Sequence, residues 1–169
     1  MNVMIRESDT LTDRESQQLF AWGEDIFETA HLGLTWRPKD LHFFLYVDNH
    51  LASHAALLKH VITVDGQPAT VAGLGGVVTL PWAQRQGLAR ALVTHAMRVT
   101  RDWNVDGGLL FCISKRVPYY AGMGWDLVNA PVLVEQPAGT ILAPVHAMVM
   151  PYTDRLRSIS RIDLNSPPW

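Results

Sequence analysis

Apolar and polar residues alternate over much of the first half of the chain, and turn residues separate the alternating stretches. A period of two is typical of β-strands that bury one face. The turn signals are Asp48-Asn49 and Asp65-Gly66, and Pro81 closes the last stretch. The predicted strands cover residues 3–6, 42–47, 51–64 and 69–80. The last three of these strands form an antiparallel meander.

Apolar residues recur three and four positions apart in two other segments, which predicts two amphipathic helices. The first helix opens at a capping box formed by Thr12 and Glu15, and a loop over residues 31–39 follows it. The second helix covers residues 84–102. The apolar positions of the first helix are Leu19, Phe20, Ile26 and Phe27. Those of the second helix are Leu88, Ala91, Leu92, His95, Ala96 and Val99.

The rest of the chain contains further strands and one short helix. Residues 108–114 are apolar, as in a strand that is buried on both faces. A short helix over 117–124, strands over 127–135 and 146–150, and a polar tail over 162–169 follow. This order predicts an α+β fold, a mixed and mostly antiparallel sheet flanked by helices, with residues 1–169 as one domain.

The composition excludes several classes of protein. The chain is 48% hydrophobic and 18% charged, whereas disordered chains combine low hydrophobicity with high net charge. Fourteen basic residues against 16 acidic ones leave no positive excess for phosphate backbones, so no nucleic-acid partner is expected. The chain starts without a signal-peptide pattern, and its longest apolar stretch, around residues 71–83, is too short for a bilayer. We therefore expect a soluble, cytoplasmic protein with no membrane partner.

The numbers and spacing of the cysteine and histidine residues predict no metal site. The single cysteine, Cys112, excludes an internal disulfide framework and a cysteine-rich zinc site. Because it lies in an apolar run, we expect an inert, buried thiol. His50 and His54 are four residues apart, but on a strand that spacing separates them by about 13 Å, too far to share one ion.

The start of the second helix carries the most informative motif. Gln84, Gly87 and Ala89 have the spacing Q-x-x-G-x-A. Free N–H groups and the positive end of the helix dipole make this position an anion site, and the small residues leave the amides open to phosphate oxygens. Arg85 and Arg90 add positive charge. The alternative is that the small residues only allow close packing of the helix.

Glycines in the preceding strand add a second feature. Gly73, Gly75 and Gly76 lie inside a predicted strand, where glycine often marks a bulge or a close approach of the backbone. A bulge that separates this strand from the next would leave unpaired backbone groups over residues 77–79. An extended ligand arm that contains amides could pair with them as an added strand.

A third feature is the sequence Tyr119-Tyr-Ala-Gly-Met-Gly-Trp125 on the predicted short helix. Tyr120 is placed to aim its hydroxyl at the end of such a ligand arm. The alternative is that both tyrosines of this segment are ordinary core residues.

Together these residues resemble the GCN5-related N-acetyltransferase (GNAT) superfamily over residues 41–150. Gln84 to Ala89 are similar to its pyrophosphate-binding motif, and Tyr120 with Gly124 and Trp125 is similar to its Tyr…Gly-aromatic motif. The resemblance implies the acyl-CoA N-acyltransferase fold with splayed central strands, and acetyl-CoA as co-substrate with no metal. It implies a coenzyme site made of Val77, Val78, Thr79, Gln84, Arg85, Gln86, Gly87, Leu88, Ala89, Arg90 and Ser114.

The same resemblance implies how the reaction is catalysed. Tyr120 is the general acid that protonates the leaving thiolate, and a backbone N–H near Val78 holds the oxyanion. No acidic residue lies on the strand before the motif. The general base therefore stays open among water, His54 and the carboxylate of Trp169.

A narrower resemblance concerns the substrate. Residues 52–59 and Trp169 are similar to the aminoglycoside 2′-N-acetyltransferases, and more distantly to the nodulation-factor acyltransferase. This implies that the tail folds back on the acceptor pocket with Trp169 at the substrate, the alternative being a frayed tail. Those enzymes carry a substrate-binding glutamate at the position of Gly75, and Pro167 replaces an acidic residue near the end. A polycationic sugar needs such carboxylates.

The sequence therefore predicts an acetyl-CoA-dependent N-acetyltransferase that acts on the primary amine of a small molecule, with an aminoglycoside-type antibiotic as one candidate. Two alternatives are left open. One is an acyl-CoA-binding module without catalysis, and the other is a peptide or protein N-acetyltransferase. A homodimer is also left open.

Overall fold

The computed structural model describes all residues, 1–169, as a ten-stranded sheet with three helices. The helices are Asp13–Phe20 (α1), Leu88–Thr100 (α2) and Val117–Ala121 (α3). The first five strands are Val3–Ser8 (β1), Leu41–Val47 (β2), His50–Val64 (β3), Gln67–Thr79 (β4) and Gly107–Cys112 (β5). The other five are Asp126–Leu127 (β6), Val132–Gln136 (β7), Gly139–Leu142 (β8), His146–Pro151 (β9) and Ile162–Asp163 (β10).

The sheet is mixed and mostly antiparallel, which confirms the predicted fold class. Strands β1 to β4 pair antiparallel in chain order, β5 runs parallel to β4, and β9 and β6 continue antiparallel beyond β5. The long strand β3 pairs with β2 at its start and with β10 at its end. Strand β10 runs parallel to β7, and β8 completes this part of the sheet.

Local signals explain where most of the elements begin and end. Thr12 accepts a hydrogen bond from the backbone N–H of Glu15, and the Glu15 carboxylate accepts one from the N–H of Thr12, which is the predicted capping box. Asp48 and Asn49 take positive φ angles of 48° and 67° in the turn between β2 and β3. Such angles match the twist of a two-residue hairpin.

Helix α1 is shorter than predicted. It ends at Phe20, and the chain from Ala21 onward forms turns, so Ile26 and Phe27 do not belong to the helix. The reason is Asp25, which has a φ of +48° and whose carboxylate accepts two downstream backbone N–H groups at 2.9 and 3.0 Å. These bonds stabilise a turn in place of helical hydrogen bonds.

The second half of the chain also departs from the predicted elements. The predicted strand over 127–135 is divided into β6 and β7, with Pro131 just before β7, where a missing N–H is tolerated. Strands β8 and β10 were not predicted. β8 is exposed along its whole length and β10 has two residues, so neither carries an apolar alternation that a sequence could reveal.

Two large buried clusters lie on opposite faces of the sheet. The first contains Leu74 of β4 and packs under α2 through Leu88 and Leu92. The second contains Leu164 and Trp169, which are 0% and 3% exposed, so the tail is buried and the frayed alternative is wrong. No helix of the protein combines the length and the apolar character that a membrane crossing needs.

Candidate active site

The centre of the sheet contains a gap between β4 and β5. Parallel pairing runs only from Val71 opposite Gly107 to Leu74 opposite Leu110, and β4 then continues to Thr79 without β5. On its other edge β4 stays paired with β3, so the two central strands separate at this point. The separation is the splay that the sequence predicts.

A bulge in β4 produces this separation. The pairing of β3 with β4 shifts between Ala56 opposite Gly75 and His54 opposite Val78, which leaves one extra residue in β4. Gly76 lies in the bulge with a φ of +59°, a left-handed conformation that strains other residues. The bulge therefore bends β4 away from β5.

Two buried histidines form a chain of hydrogen bonds that ends at the bulge. His54 Nδ1 lies 2.7 Å from the Gly76 carbonyl, and because a carbonyl only accepts, Nδ1 carries the proton. His54 Nε2 is then the acceptor for His42 Nδ1 at 3.0 Å. Burial lowers the pKa of His54 to about 4, so the ring is neutral at neutral pH. Both ring nitrogens of His54 are thus engaged within the protein.

The free edge of β4 presents backbone groups to the gap. The Leu80 N–H donates to the Ala52 carbonyl of β3 at 2.8 Å, so alternation along the strand turns the N–H and the carbonyl of Thr79 the other way. Gln84 Nε2 donates to that Thr79 carbonyl at 3.1 Å. This bond joins the predicted strand edge, residues 77–79, to the predicted anion loop.

The anion loop precedes α2 and is not part of it. We predicted a helix from residue 84, but α2 begins at Leu88, with Gly87 as N-cap at a φ of +73° and Arg85 at +62°. The backbone N–H groups of residues 85–90 have no acceptor within the protein, because the first intrahelical bond runs from Ala91 to Gly87. Unbonded N–H groups at the positive end of a helix dipole can bind an anion.

The far side of the gap carries the remaining predicted residues. Strand β5 ends at Cys112, and Ser114 follows with its Oγ 2.9 Å from His146 Nε2. Tyr120 lies on α3, partly buried, with its ring edge-on to Trp125 at 6.4 Å between centroids. Burial raises the pKa of the Tyr120 hydroxyl above its usual value, so the phenol is protonated at neutral pH.

The thiol of Cys112 is buried, as the sequence predicts. Cys112 is 9% exposed, and burial raises its pKa to about 11, so the thiolate is scarce at neutral pH. No group of three or more His, Cys, Asp or Glu side chains is arranged to hold a metal ion.

Trp169 and Gly75 lie on the face of the sheet opposite α2. An ideal Cβ on Gly73 would overlap the Trp169 indole, whose Nε1 donates to the Leu109 carbonyl at 3.1 Å. A Cβ on Gly75 would lie 3.1 Å from the backbone carboxyl carbon of Trp169, the last residue of the sequence, and 3.3 Å from Lys39 Cδ. A side chain at position 75 would therefore meet the tail and the stem of Lys39.

Lys39 is the residue of this site that the sequence did not identify. Its loop is fastened to the tail, because the Arg37 N–H donates to the Pro168 carbonyl at 2.7 Å and its guanidinium donates to His60 Nδ1 at 2.9 Å. His60 Nε2 in turn donates to the Leu164 carbonyl at 2.7 Å. A single lysine after Pro38 in a predicted loop gives no local signal of these long-range contacts.

Comparison with known proteins agrees with this geometry. A separated pair of central strands beside an anion loop defines a class, the acyl-CoA N-acyltransferase fold. The sequence model of the acetyltransferase (GNAT) domain matches residues 12–128. The chain belongs to the GNAT family and is an N-acetyltransferase.

Solved structures show the same fold at low sequence identity. The GNAT family N-acetyltransferase YhbS from Escherichia coli, solved with CoA, is 15% identical, with a TM-score of 0.62 over 96% of this chain and 89% of that one. A putative N-acetyltransferase from Lactobacillus plantarum is 19% identical, with a TM-score of 0.61 over 88% and 97%. The ribosomal-protein-S18-alanine N-acetyltransferase from Escherichia coli is 19% identical, with a TM-score of 0.53 over 89% and 95%. No curated relative matches by sequence.

Proposed function

We propose that this N-acetyltransferase moves the acetyl group of acetyl-CoA to the primary amine of a small molecule. One observation carries the proposal: the free edge of β4 continues directly into the loop whose six N–H groups have no acceptor. The amides of a pantetheine arm would form hydrogen bonds with this edge as an added strand. The N–H groups of the loop would bind the pyrophosphate of the coenzyme. The CoA in the YhbS structure is consistent with this assignment.

The coenzyme site then consists of the two sides of the gap. The edge is Val77, Val78 and Thr79, and the loop with the first turn of α2 is Gln84, Arg85, Gln86, Gly87, Leu88, Ala89 and Arg90. Ser114 and Tyr120 stand across the gap after β5. Arg90 joins the two sides, since its guanidinium donates to the Gly122 carbonyl just after α3 at 3.3 Å.

Different residues around the gap would carry out different steps of the acetyl transfer. Bound acetyl-CoA would supply an activated thioester. The amine nitrogen of the acceptor would form a bond to the carbonyl carbon, and the bond from that carbon to sulfur would break. A backbone N–H near Val78 would stabilise the charge on the carbonyl oxygen. Tyr120 would give its proton to the departing thiolate.

The contacts of His54 leave solvent water and the carboxylate of Trp169 as the candidate bases. Both ring nitrogens of His54 are hydrogen-bonded and its pKa is low, so we assign His54 to positioning the bulge instead of taking the proton. The acceptor side also offers a lysine where the resembled aminoglycoside enzymes carry a carboxylate. We therefore do not extend the proposal to polycationic antibiotics.

We further propose that residues 1–169 work as one domain. The tail packs into the second buried cluster through Leu164 and Trp169, and it contacts β4 beside the gap. A tail in this position belongs to the acceptor side of the catalytic unit.

The test is amine-dependent release of the CoA thiol. The purified protein is mixed with acetyl-CoA and, in turn, with amino acids, polyamines, amino sugars and short peptides, and mass spectrometry identifies any acetylated product. We expect release with small amines and product carrying one acetyl group. Acetyl-CoA binding by calorimetry without any release would favour the silent binding module, and release with peptides alone would favour a peptide N-acetyltransferase.

A further inference from the structure

Two separate buried clusters lie on the face of the sheet opposite α2. One is the second cluster, which contains Leu58 of β3. The other lies under α1 and contains Phe44 of β2. Phe44 is paired with His54, and His54 and Leu58 are four residues apart on β3, so all three side chains point to the same face. The boundary between the two clusters on β3 therefore lies at Ala56, which belongs to neither of them.

This boundary coincides with the start of the gap. Ala56 is paired with Gly75 of β4, and Gly76 follows in the bulge. The pairing of β4 with β5 ends at Leu74, so Gly75 is the first residue of β4 beyond it. Strand β4 therefore places no side chain between the two clusters at the point where it separates from β5.

Aromatic rings border this boundary on both sides. Phe20, at the end of α1, is edge-on to His54 at 5.4 Å between ring centroids, and Phe27 lies 6.0 Å from Phe20. Across the gap, Phe111 is the first residue of β5 beyond the pairing with β4, and it is edge-on to Trp169 at 5.5 Å. An acceptor that reaches the gap from this face therefore passes between aromatic rings.

The segment that carries Phe27 crosses the gap. The Glu28 side chain forms an ion pair with Lys115, which directly follows Ser114 on the β5 side. The turn before it is fixed by the Asp25 carboxylate, which accepts two downstream N–H groups. Phe27 is nevertheless 42% exposed. Phe27 is therefore held at the gap with part of its ring available to a ligand.

We propose that the acceptor carries a large apolar group, such as an aromatic ring, beside its primary amine, and that Phe27 determines this specificity by packing against that group. The inference rests on the proposed function and adds the chemical class of the acceptor. With the coenzyme held by the anion loop and the edge of β4, this face is left for the amine. A single exposed apolar residue needs no ligand, but rings on both sides of the gap are removed from water when an apolar group lies between them. A polyamine or an amino sugar would lose water there without gaining hydrogen bonds from the rings.

The first test measures binding without turnover. The chain has five phenylalanines, so NMR of protein labelled with ¹³C in the phenylalanine rings gives few signals, and Phe27→Leu and Phe111→Leu identify two of them. With CoA bound, 2-phenylethylamine should shift the signals of Phe27 and Phe111 with saturation, whereas Phe43, buried in the cluster under α2, should not respond. Ethylamine, which lacks the ring, is the control ligand and should shift neither. If 2-phenylethylamine shifts neither Phe27 nor Phe111, the proposal is overturned.

The second test compares acceptors that differ only in an apolar ring. Thiol release is measured with phenylalaninamide against alaninamide, and we expect the wild type to prefer phenylalaninamide at least about tenfold in kcat/KM. Phe27→Ala should remove most of that preference by raising KM for phenylalaninamide alone, because the contact is present before and during the reaction. Phe27→Leu, which keeps an apolar side chain, should retain it. Leu142→Ala, at an exposed apolar position on β8, is the matched control and should behave as wild type.

Failure of this inference can be told apart from failure of the proposed function. If acetyl-CoA binds and amines without an apolar group are acetylated as well as those with one, the enzyme is an acetyltransferase and the role of Phe27 is wrong. An equal loss for both amides in Phe27→Ala would make Phe27 a structural residue. Absence of acetyl-CoA binding, or of thiol release with every amine, would instead reject the proposed function itself.

Discussion

The environment of a single side chain decides what it can do in this protein. Tyr120 and Tyr119 are neighbours on α3, yet Tyr119 is 39% exposed and Tyr120 is mostly buried against Trp125. Burial raises the pKa of both hydroxyls, and for Tyr120 the increase is large. In the proposed function this protonated phenol would give its proton to the departing thiolate.

We therefore predict that Tyr120→Phe lowers kcat by about 10²–10⁴-fold, the usual contribution of a general acid. Acetyl-CoA affinity should be unchanged, because only a hydroxyl is lost. Steady-state kinetics and calorimetry measure the two effects, and Tyr119→Phe is the matched control with near-normal turnover. An unchanged kcat for Tyr120→Phe, where chemistry limits the rate, would place Tyr120 in the core only.

The buried His54 gives a prediction for stability against pH. Its folded pKa of about 4 lies below the value of about 6.5 in an unfolded chain, so the unfolded state binds protons first as the pH falls. The stability that its neutral form contributes is complete above pH 6.5 and is lost progressively toward pH 4. The loss should be on the order of 3 kcal/mol in the free energy of unfolding.

Urea denaturation at pH 7 and at pH 4.5 measures this loss. In His54→Gln the side-chain amide can donate to the Gly76 carbonyl and accept from His42, but it does not titrate. We expect that variant to lose much of the pH dependence, whereas His31→Gln, at an exposed site, should keep it. A wild-type pH dependence in His54→Gln would show that other groups cause it.

At the scale of elements, the loop before α2 depends on the backbone conformation of Gly87. An added Cβ there would meet no atom within 4 Å, but the φ of +73° strains a β-branched residue and changes the path of the free N–H groups. Gly87→Val should weaken acetyl-CoA binding at least tenfold, about 1.4 kcal/mol. Calorimetry measures the affinity directly.

Gly66 supplies the matched control for that substitution. It has a φ of +79°, it also has open space around it, and it lies in the hairpin turn between β3 and β4. Gly66→Val should cost similar stability while acetyl-CoA binds normally. If both variants bind the coenzyme as tightly as wild type, the loop is not the phosphate site.

At the scale of the whole molecule, the tail connects the loop before β2, the end of β3 and the centre of the sheet. Trp169 packs edge-on to Phe111 and His60, and the Arg37 N–H donates a hydrogen bond to the Pro168 carbonyl of the tail. The indole fills the space that a Cβ at Gly73 would occupy. The tail is therefore part of the core and not an appendage.

Trp169→Ala should lower the free energy of unfolding by about 3–5 kcal/mol, as for other buried aromatic residues. Thermal and urea denaturation test this value. The control is Trp22→Ala, since that indole is 41% exposed and its loss should change stability by no more than about 0.5 kcal/mol. Equal stability of Trp169→Ala and wild type would mean that the tail does not dock in solution.

Most strands, the capping box, the anion loop and the splayed gap could be predicted because their signals are local. Alternation, turn pairs such as Asp65-Gly66, and small residues at a helix start act through neighbours within a few positions. The end of α1, the start of α2 and strands β8 and β10 could not be predicted in the same way. Asp25, Gly87 and Pro131 set some of these boundaries through backbone geometry that apolar periodicity does not report.

The amino-acid sequence by itself predicted the family, the fold class and the residues of the proposed coenzyme side, because those depend on short-range patterns. Only the tertiary structure revealed which residues lie on the proposed acceptor side. Lys39, His54 and Trp169 come from a loop, a strand and the tail, and they meet at Gly75 and Gly76 through contacts between residues far apart in the chain. The charge that an acceptor meets there depends on which distant groups fold into that space, and no local pattern encodes that outcome.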